Sequence, residues 1–348
     1  STKNGMATNA IVGFLNTLYK LIEETSPDCV ICAFDLKGPT FRHKQYPEYK
    51  AGRKSMPQEL AMQIPVLKEL IEILGFSIVS LESFEADDIL GTFAKTCEKT
   101  GDSCIIATGD RDSLQLVSDK TNVLLASSSM GKPITTTYDV SMILEKYSVN
   151  PQQLIDIKAL MGDSSDNIPG VAGVGEKTAV TLISTFGSIA AIYKNIDTLD
   201  IKPAIKNKLL NDKENAYLSY ELGTIFTDVP INLNFENYKV RPIDYKNAYR
   251  LFSELELNRF INKLEIKNHI QEQKASSNEL SEDKPYMIYY NDPKFEQDIL
   301  PMMNKIYLNC NFDDAQNISG FTIIMEETIF LFDATYSGYA GLLKNILI

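Results

Sequence analysis

Short apolar runs of strand length alternate with helix-length segments over the first 126 residues. The apolar runs lie at 29–34, 76–79, 103–107 and 123–126, and apolar side chains at helical spacing mark 11–22, 60–74 and 85–100. A continuous apolar run is typical of a strand buried on both faces, as the strands of parallel sheets are. The alternation therefore predicts an α/β fold in which helices cover a parallel sheet.

The rest of the chain divides into three further parts. Residues 138–262 are predicted to be mostly helical, with the clearest helices at 151–161, 176–186 and 204–220, and they follow a core at about 1–137. A polar stretch at 271–284 has no apolar periodicity, and we predict an interdomain linker over 263–284. Residues 285–348 contain four strand-like runs but are too few for a whole domain, so they are predicted to begin one.

Composition narrows the classes of function. The net charge of −12 gives no general attraction to nucleic acid, so any such contact needs a local basic surface. Two histidines in 348 residues argue against a histidine-rich zinc site and a Ser-His-Asp triad. Five scattered cysteines indicate free thiols in a reducing cytosol. No apolar run approaches the ~20 residues of a membrane span, and no membrane partner is expected.

Acidic residues recur where predicted strands end, where a helix begins and in one loop. They are Asp35, Glu85, Asp87, Asp88, Asp110, Asp112, Asp163 and Asp166. Ligands bind at the carboxyl edge of open parallel sheets, where the strand-end acids would lie. Two carboxylates ~4 Å apart repel by roughly 4 kcal/mol at an effective dielectric of 20, so a converging cluster requires protons or cations.

Oxygen ligands without histidine or cysteine favour the hard ions Mg²⁺ or Mn²⁺. A cluster of this size suits two ions ~4 Å apart, which stabilise both oxygens of an in-line phosphodiester displacement. Each acid alone has a structural explanation, because acids are favoured in the first turn of a helix and in tight turns. Their combination predicts a two-metal site.

A glycine-rich turn leads into the predicted helix at 176–186. Gly170, Gly173 and Gly175 allow close approach of a backbone, and Lys177 and Thr178 add a cation and a hydroxyl at the helix start. Such a turn resembles a helix-hairpin-helix element that holds one DNA backbone without reading sequence. The alternative is an ordinary tight turn.

A basic segment interleaved with aromatic residues follows the first strand. Its candidate nucleic-acid contacts are Arg42, Lys44, Tyr46, Tyr49, Lys50, Arg53 and Lys54. Cations neutralise phosphates and aromatic rings stack on unpaired bases, so the segment is typical of a single-strand path. The alternative is a solvated basic loop.

Together these motifs resemble the 5′-nuclease domain of bacterial DNA polymerase I, a relative of flap endonucleases. The resemblance covers residues 1 to about 260 and rests on 8–10 with 13–14, 33–35 with 38–42, 46–53, 85–88, 108–112 and 162–177 (GDSSDNIPGVAGVGEK). It implies a Rossmann-like, PIN-like nuclease core with a helical helix-hairpin-helix subdomain. It also implies a structure-specific 5′-3′ exonuclease and flap endonuclease that removes primers and flaps in DNA replication and repair.

The resemblance also implies roles for residues. A first metal region would be formed by Asp35, Glu85, Asp87, Asp88, Asp110 and Asp112. A second metal region would be formed by Asp163 and Asp166. Tyr49 would stack on a base, and Lys50 and Arg53 would contact the scissile phosphate. The glycine-rich turn would also bind K⁺, and the partner would be DNA with 5′ flaps, nicks or RNA primers. We expect a monomer in the bacterial cytoplasm, associated with the nucleoid.

Two features depart from the family pattern. Family members begin with a strand that ends in Asp and a helix that carries an Arg, and this chain starts after both. We therefore expect a fragment that is weakly active or inactive. Residues 285–348 resemble the beginning of an RNase H-like, 3′-5′ exonuclease-like domain, but Asn309 and Asn311 stand where acids are expected, so that part is predicted to be silent.

Two other functions remain open from the sequence. The first is a module that binds DNA junctions without catalysis. The second is an acidic-site ribonuclease of the related PIN-like α/β type. No polymerase domain is expected in this chain.

Overall fold

The computed structural model describes residues 2–3, 5–129 and 132–271, and the backbone of four strands between 287 and 333. The chain forms two compact units, Ser1–Leu264 and Glu265–Ile348. No helix among the described residues is both long enough and apolar enough to cross a bilayer.

The first half of unit one contains the α/β part. Its elements are α1 (Asn9–Thr25), β1 (Ile31–Ala33), α2 (Phe41–Gln45), α3 (Gln58–Ile73), β2 (Ser77–Val79), α4 (Ala86–Thr100), β3 (Cys104–Thr108), β4 (Thr121–Ser129) and β5 (Lys132–Tyr138). A 3₁₀ helix at Arg111–Leu116 follows β3. The predicted alternation of strands and helices is present, and each predicted strand has a counterpart.

The strands β1 to β5 form two separate hydrogen-bonded sheets. β1 pairs with β2 in parallel, with Ile31 opposite Ser77. β3 pairs with β4 in parallel, and β4 continues into an antiparallel hairpin with β5, in which Val123 faces Tyr138. The expectation that the strands stop at 126 is wrong. β5 contains three consecutive threonines and few apolar residues, so its own pattern does not indicate a strand, and its pairing with β4 stabilises it.

Helix α4 packs against both sheets. Ile89 and Phe93 lie in a buried cluster against the residues around β1 and β2. Ala94 lies in a second buried cluster with Ile106 of β3 and Val123 of β4. Because α4 contributes side chains to both buried clusters, it fixes the positions of the carboxyl ends of β1 and β3 relative to its own N-terminus.

The second half of unit one is helical, as predicted. Its helices are α5 (Val140–Tyr147), α6 (Gln153–Met161), α7 (Glu176–Phe186), α8 (Ile189–Lys194), α9 (Pro203–Asn211), α10 (Lys213–Gly223), α11 (Tyr245–Glu254) and α12 (Asn258–Lys263). The helix predicted at 204–220 is two helices that meet at Asp212. Its carboxylate accepts a hydrogen bond from Ala172 N at 2.9 Å, which ties the break to the glycine-rich turn.

The second unit contains a four-stranded sheet in the order β6-β9-β8-β7. The strands are β6 (Met287–Tyr290), β7 (Tyr307–Phe312), β8 (Ile318–Met325) and β9 (Thr328–Asp333). Only β6 and β9 pair in parallel. Four strands were predicted here, and the RNase H-like identity of this part stays a prediction. The predicted linker begins with the end of α12 and further helical residues at 266–271, and 272–284 lie outside the described residues.

Gly170 has a positive φ of 63°, and a Cβ atom at this position would lie 2.3 Å from the backbone nitrogen of Gly162. Gly170→Ala should therefore lower the free energy of unfolding by about 2 kcal/mol or more, because neither the conformation nor the neighbouring backbone accommodates a side chain. Urea denaturation followed by circular dichroism measures the change.

Gly13→Ala is the matched control. Gly13 lies inside α1, and its Cβ would meet no atom within 4 Å. Alanine is a better helix former there and should raise stability by about 0.5–1 kcal/mol. Equal effects of the two substitutions would contradict the role given to Gly170.

Candidate active site

The acidic residues converge on one pocket because of where four segments end. Asp35 and Asp110 each follow a strand, β1 and β3, by two residues, and the N-terminus of α4 lies beside both strands. The pocket is lined by Glu85, Asp87, Asp110, Asp112 and Asp166, together with Arg42, Tyr49, Lys50, Leu222, Gly223 and Ile225. Three of the four predicted acidic groups therefore line one pocket, and the fourth, Asp35, lies near enough for its charge to act on Asp87.

The carboxyl group of Asp87 has a pKa well above its ordinary value. Burial raises the pKa of Asp87, and the carboxylates of Asp110, Asp112, Asp35 and Glu85 raise it further, to about 7. Ion pairs of Asp35, Asp87 and Asp110 are absent among the residues that the structure describes. Arg42 and Lys50 line the same pocket, but their described ion pairs are with Glu85 and Asp88 rather than with these three acids.

Two of these acids also hold the local backbone. An Asp35 oxygen accepts a hydrogen bond from Ala86 N at 2.7 Å, at the start of α4. An Asp110 oxygen accepts one from Asp112 N at 2.9 Å, at the start of the 3₁₀ helix. These bonds are the capping interactions that acids make at helix starts. They also orient the carboxylates at the mouth of the pocket.

Asp112, Asp163 and Asp166 form a second group, in which one oxygen from each lies within 4.8 Å of the others. The loop that carries the last two closes through paired backbone bonds between Asp163 and Ile168. Burial alone would raise the pKa of Asp163, but hydrogen bonds from Lys158 and Ser165 outweigh it and lower the pKa to about 2.

Lys158 is a functional candidate that the sequence analysis missed. Its Nζ lies 2.8 Å from Asp163 Oδ2 and directly contacts Asp112 Oδ2. Burial would lower the pKa of Lys158, but the two carboxylates outweigh burial and raise it. The available signal was a single lysine in the mostly apolar stretch 154–161 of α6 (LIDIKALM).

Two cations of the basic segment also bind the pocket acids. Lys50 Nζ lies 2.7 Å from Glu85 Oε1, and Arg53 lies 2.5 Å from Asp166 Oδ1. Lys50 has a positive φ of 58°, and its backbone N–H donates to Asp166 O at 2.8 Å, which anchors the segment beside the pocket. Lys44 and Lys54 are exposed and Tyr46 is half-buried, so all three are accessible from solvent.

The positions of Asp88 and Arg42 do not fit their predicted roles. Asp88 is fully buried, and both of its oxygens accept bonds from the Arg42 guanidinium, at 2.7 and 2.8 Å. The backbone N–H groups of Glu85 and Phe226 also donate hydrogen bonds to the Asp88 carboxylate. Arg42 is 3% exposed and also donates to two backbone carbonyls. The ion pair of Asp88 with Arg42 therefore stabilises the wall of the pocket, and neither side chain is accessible to a metal ion or to DNA.

Tyr49 and Gly170 also differ from expectation. Tyr49 is 3% exposed, and its hydroxyl donates to Glu85 Oε2 at 3.2 Å, so its ring has no free face for a base. The Gly170 N–H donates to Ser219 Oγ at 2.8 Å and is not available to a phosphate. Gly173, Gly175 and Lys177 are exposed at the start of α7, and Thr178 is half-buried there.

Two family descriptions match the first 246 residues of the chain. Residues 1–148 match "5'-3' exonuclease, N-terminal resolvase-like domain", and residues 149–246 match "5'-3' exonuclease, C-terminal SAM fold". The chain belongs to the 5′-3′ exonuclease family over these residues. The predicted α/β nuclease fold is confirmed.

The curated relatives it matches include two bacterial enzymes named DNA polymerase I. The relative from Caldicellulosiruptor bescii is 40% identical over 271 residues, which is 78% of this chain and 32% of the relative. The relative from Bacillus subtilis is 41% identical over 266 residues, which is 76% of this chain and 30% of the relative. The chain thus spans about a third of the length of these relatives.

Solved structures share the fold. The T5 5′-exonuclease with bound zinc superimposes with a TM-score of 0.53 and 26% identity, covering 64% of this chain and 84% of the T5 chain. A T5 flap endonuclease with DNA and metal ions superimposes with a TM-score of 0.52 and 26% identity, covering 62% of this chain and 81% of the T5 chain. The catalytic core of Rad2 with DNA superimposes with a TM-score of 0.50 and 15% identity, covering 73% of this chain and 81% of the Rad2 chain. At this level of identity, the similarity supports the shared fold and nothing further. The acidic cluster and these metal-bound relatives point to divalent metal ions.

Asp88→Ala should lower the free energy of unfolding by about 3–5 kcal/mol, because it leaves the buried Arg42 guanidinium without its partner. Urea denaturation measures the loss. Arg250→Ala breaks exposed pairs with Glu69 and Glu254 and should change stability little. An Asp88→Ala chain of normal stability but impaired metal binding would instead make Asp88 a ligand.

The raised pKa of Asp87 predicts how stability depends on pH without divalent ions. The unfolded chain releases this proton near pH 3.8, whereas the folded chain keeps it up to about pH 7. The folded state binds more protons in this window, so the contribution of Asp87 to stability is present below pH 3.8 and is lost as pH rises through 7. Asp87→Asn should therefore be more stable than the parent chain by roughly 2 kcal/mol at pH 8 in EDTA.

Urea denaturation of both chains at pH 4 and pH 8 measures this difference. The advantage of Asp87→Asn should shrink towards zero at pH 4, where Asp87 is protonated in the folded state. Asp197→Asn, at a side chain that is 90% exposed, is the control. An advantage that is equal at the two pH values would contradict the raised pKa.

Proposed function

We propose that this chain is the 5′-3′ exonuclease and flap endonuclease part of a bacterial DNA polymerase I. The observation that carries the proposal is one pocket lined by five carboxylates, with Lys50 and Arg53 paired to two of them. Asp163 lies next to Asp112 and Asp166, and the charge of Asp35 acts on Asp87. Membership of the 5′-3′ exonuclease family supports it. The substrate is DNA with a 5′ flap, a nick or an RNA primer.

The residues present suit hard divalent ions. The donor set consists of carboxylate oxygens, which Mg²⁺ and Mn²⁺ prefer, and the raised pKa of Asp87 reflects its burial and then the charge of the neighbouring carboxylates. Asp35, Asp87, Asp110 and Asp112, with Glu85, would hold one ion, and Asp163 and Asp166 would hold a second with Asp112. Such ions supply an activated water nucleophile and stabilise charge on the phosphate oxygens.

Lys50 and Arg53 would act on the substrate directly. Each now pairs with a pocket acid, so an ion bound to those acids would compete for the same oxygens. The freed cations would then contact the phosphate and offset its negative charge as the bond to the leaving oxygen breaks. Tyr49 would position Glu85 through its hydroxyl rather than stack on a base.

Other residues would hold the DNA away from the reacting phosphate. Lys44, Tyr46 and Lys54 would contact the single-stranded 5′ end through charge and stacking. Gly173, Gly175, Lys177 and Thr178 would bind duplex phosphates at the start of α7, with K⁺ as an additional ion. These contacts need no sequence readout, which suits an enzyme that recognises a junction.

The biological role would be removal of primers and flaps during lagging-strand synthesis and repair, by a monomer in the bacterial cytoplasm near the nucleoid. A junction-binding module without catalysis and a PIN-like ribonuclease are the alternatives. Neither is favoured, since the matched family is named for exonuclease activity and the T5 relative is named as a flap endonuclease bound to DNA and metal ions.

Cleavage of a labelled 5′-flap DNA by the full 348-residue chain tests the proposal. We expect weak cleavage, below full turnover, with Mg²⁺ or Mn²⁺ and none in EDTA, because the carboxylates need the ions for chemistry. Asp110→Asn combined with Asp112→Asn should reduce cleavage to background while flap binding, measured by fluorescence anisotropy, is retained or tighter.

Asp197→Asn is the matched control and should cleave like the parent chain. Equal cleavage by the double variant, or cleavage that resists EDTA, would contradict the metal model. Binding without any cleavage would favour the junction-binding module. Preferential cleavage of single-stranded RNA would favour the ribonuclease.

A further inference from the structure

Lys158 is a buried lysine whose amine lies between two pocket carboxylates. It is 8% exposed, and it contacts Asp112 and lies 2.8 Å from Asp163. Lysine is rarely buried unless it is paired, because removal of the ammonium group from water is costly. The two carboxylates therefore account for its position, and none of the roles proposed above uses it.

The aliphatic part of the Lys158 side chain is confined, so the side chain has little freedom to leave the pocket acids. It passes Gly223 at the end of α10, where a Cβ atom would lie 3.3 Å from the lysine Cδ. The Gly223 carbonyl accepts a hydrogen bond from Gln115 Nε2 at 3.0 Å, which fixes that backbone against the 3₁₀ helix. The glycine thus provides the space through which the lysine reaches the pocket.

The other two pocket cations differ from Lys158 in this respect. The Arg53 side chain is 49% exposed and that of Lys50 is 19% exposed, and both belong to the segment between α2 and α3. Lys158 has a side-chain exposure of 10% and belongs to a helix packed into the core. Arg53 and Lys50 can therefore withdraw from their acids more readily than Lys158 can.

The amine of Lys158 uses the oxygens that a divalent ion would need. Asp112, Asp163 and Asp166 are the three acids whose oxygens lie within 4.8 Å of one another, and Lys158 binds two of them. Asp35, Asp87 and Asp110 lack an ion pair among the described residues. The two halves of the pocket thus differ in how much of their charge the protein itself neutralises.

We propose that Lys158 is a positioning residue that competes with one of the two divalent ions. Its ammonium group holds Asp112 and Asp163 together when no ion is bound, and it weakens binding of an ion to Asp112, Asp163 and Asp166. The ion near Asp35, Asp87 and Asp110 is then the tighter of the two. This inference rests on the proposed function, because it assumes that the pocket acids bind divalent ions.

Mn²⁺ binding to the full chain without DNA tests the competition. Free Mn²⁺ is measured by electron paramagnetic resonance during titration of the parent chain and of Lys158→Met. We expect the weaker of two binding events to become about tenfold tighter or more in Lys158→Met, because a positive charge beside the ion has been removed. An unchanged or weaker affinity would overturn the proposal.

Two controls accompany the titration. Lys95→Met removes a lysine that is half exposed and paired with Glu98, and it should leave both affinities unchanged. Lys158→Arg keeps the charge and should keep the second affinity low. If Lys158→Met does not fold, Lys158→Gln is titrated instead, and folding of either variant in Mn²⁺ but not in EDTA supports the competition. A variant that Mn²⁺ does not rescue contradicts it.

The titration separates the two proposals. If the parent chain binds no Mn²⁺, the metal requirement of the proposed function fails. If the parent chain binds Mn²⁺ and the Lys158 variants bind it no more tightly, only the role of Lys158 fails.

Discussion

Mutual repulsion among the pocket carboxylates and their acidic neighbours is the interaction that the rest of the structure must offset. Lys50, Arg53 and Lys158 each bind pocket acids, and they neutralise Glu85, Asp166 and the pair of Asp112 with Asp163. Burial of Asp87 and, after it, the charge of the neighbouring carboxylates raise the pKa of Asp87. Divalent ions would complete the neutralisation and supply the chemistry that phosphodiester hydrolysis needs.

The fold brings these acids together through helix α4. The helix packs on the sheet of β1 and β2 through Ile89 and Phe93 and on the sheet of β3 and β4 through Ala94. Its N-terminus carries Glu85 and Asp87, and the buried pair of Asp88 with Arg42 joins that N-terminus to α2 and to the backbone after α10. Structural acids and pocket acids are therefore neighbours in the chain but have separate functions.

The sequence predicted the parts of the site that follow from strand ends and helix starts. The positions of Asp35 and Asp110 after apolar runs, and of Glu85 and Asp87 at a helix start, were enough to expect convergence. The sequence did not separate Asp87 from Asp88, because adjacent residues of a helix point about 100° apart and only the packing shows which one faces the pocket. The burial of Tyr49 likewise depends on Ile168 and Leu222, which are distant in the chain.

Lys158 and β5 were missed for related reasons. A lysine in an apolar helix has no local partner, and its two carboxylates lie 46 residues before it and five after it, in separate segments. The β5 strand has a weak pattern of its own and is specified by pairing across the hairpin with β4. In both cases the deciding interaction joins two separate segments, and no periodicity within either segment indicates it.

Anomalous diffraction from crystals of the full chain soaked in Mn²⁺ tests the central claim most directly. We expect manganese peaks among the carboxylates of Asp35, Asp87, Asp110, Asp112, Asp163 and Asp166. The strongest peak should lie near Asp87. Manganese bound only outside this pocket, or no peak at saturating Mn²⁺, would contradict it.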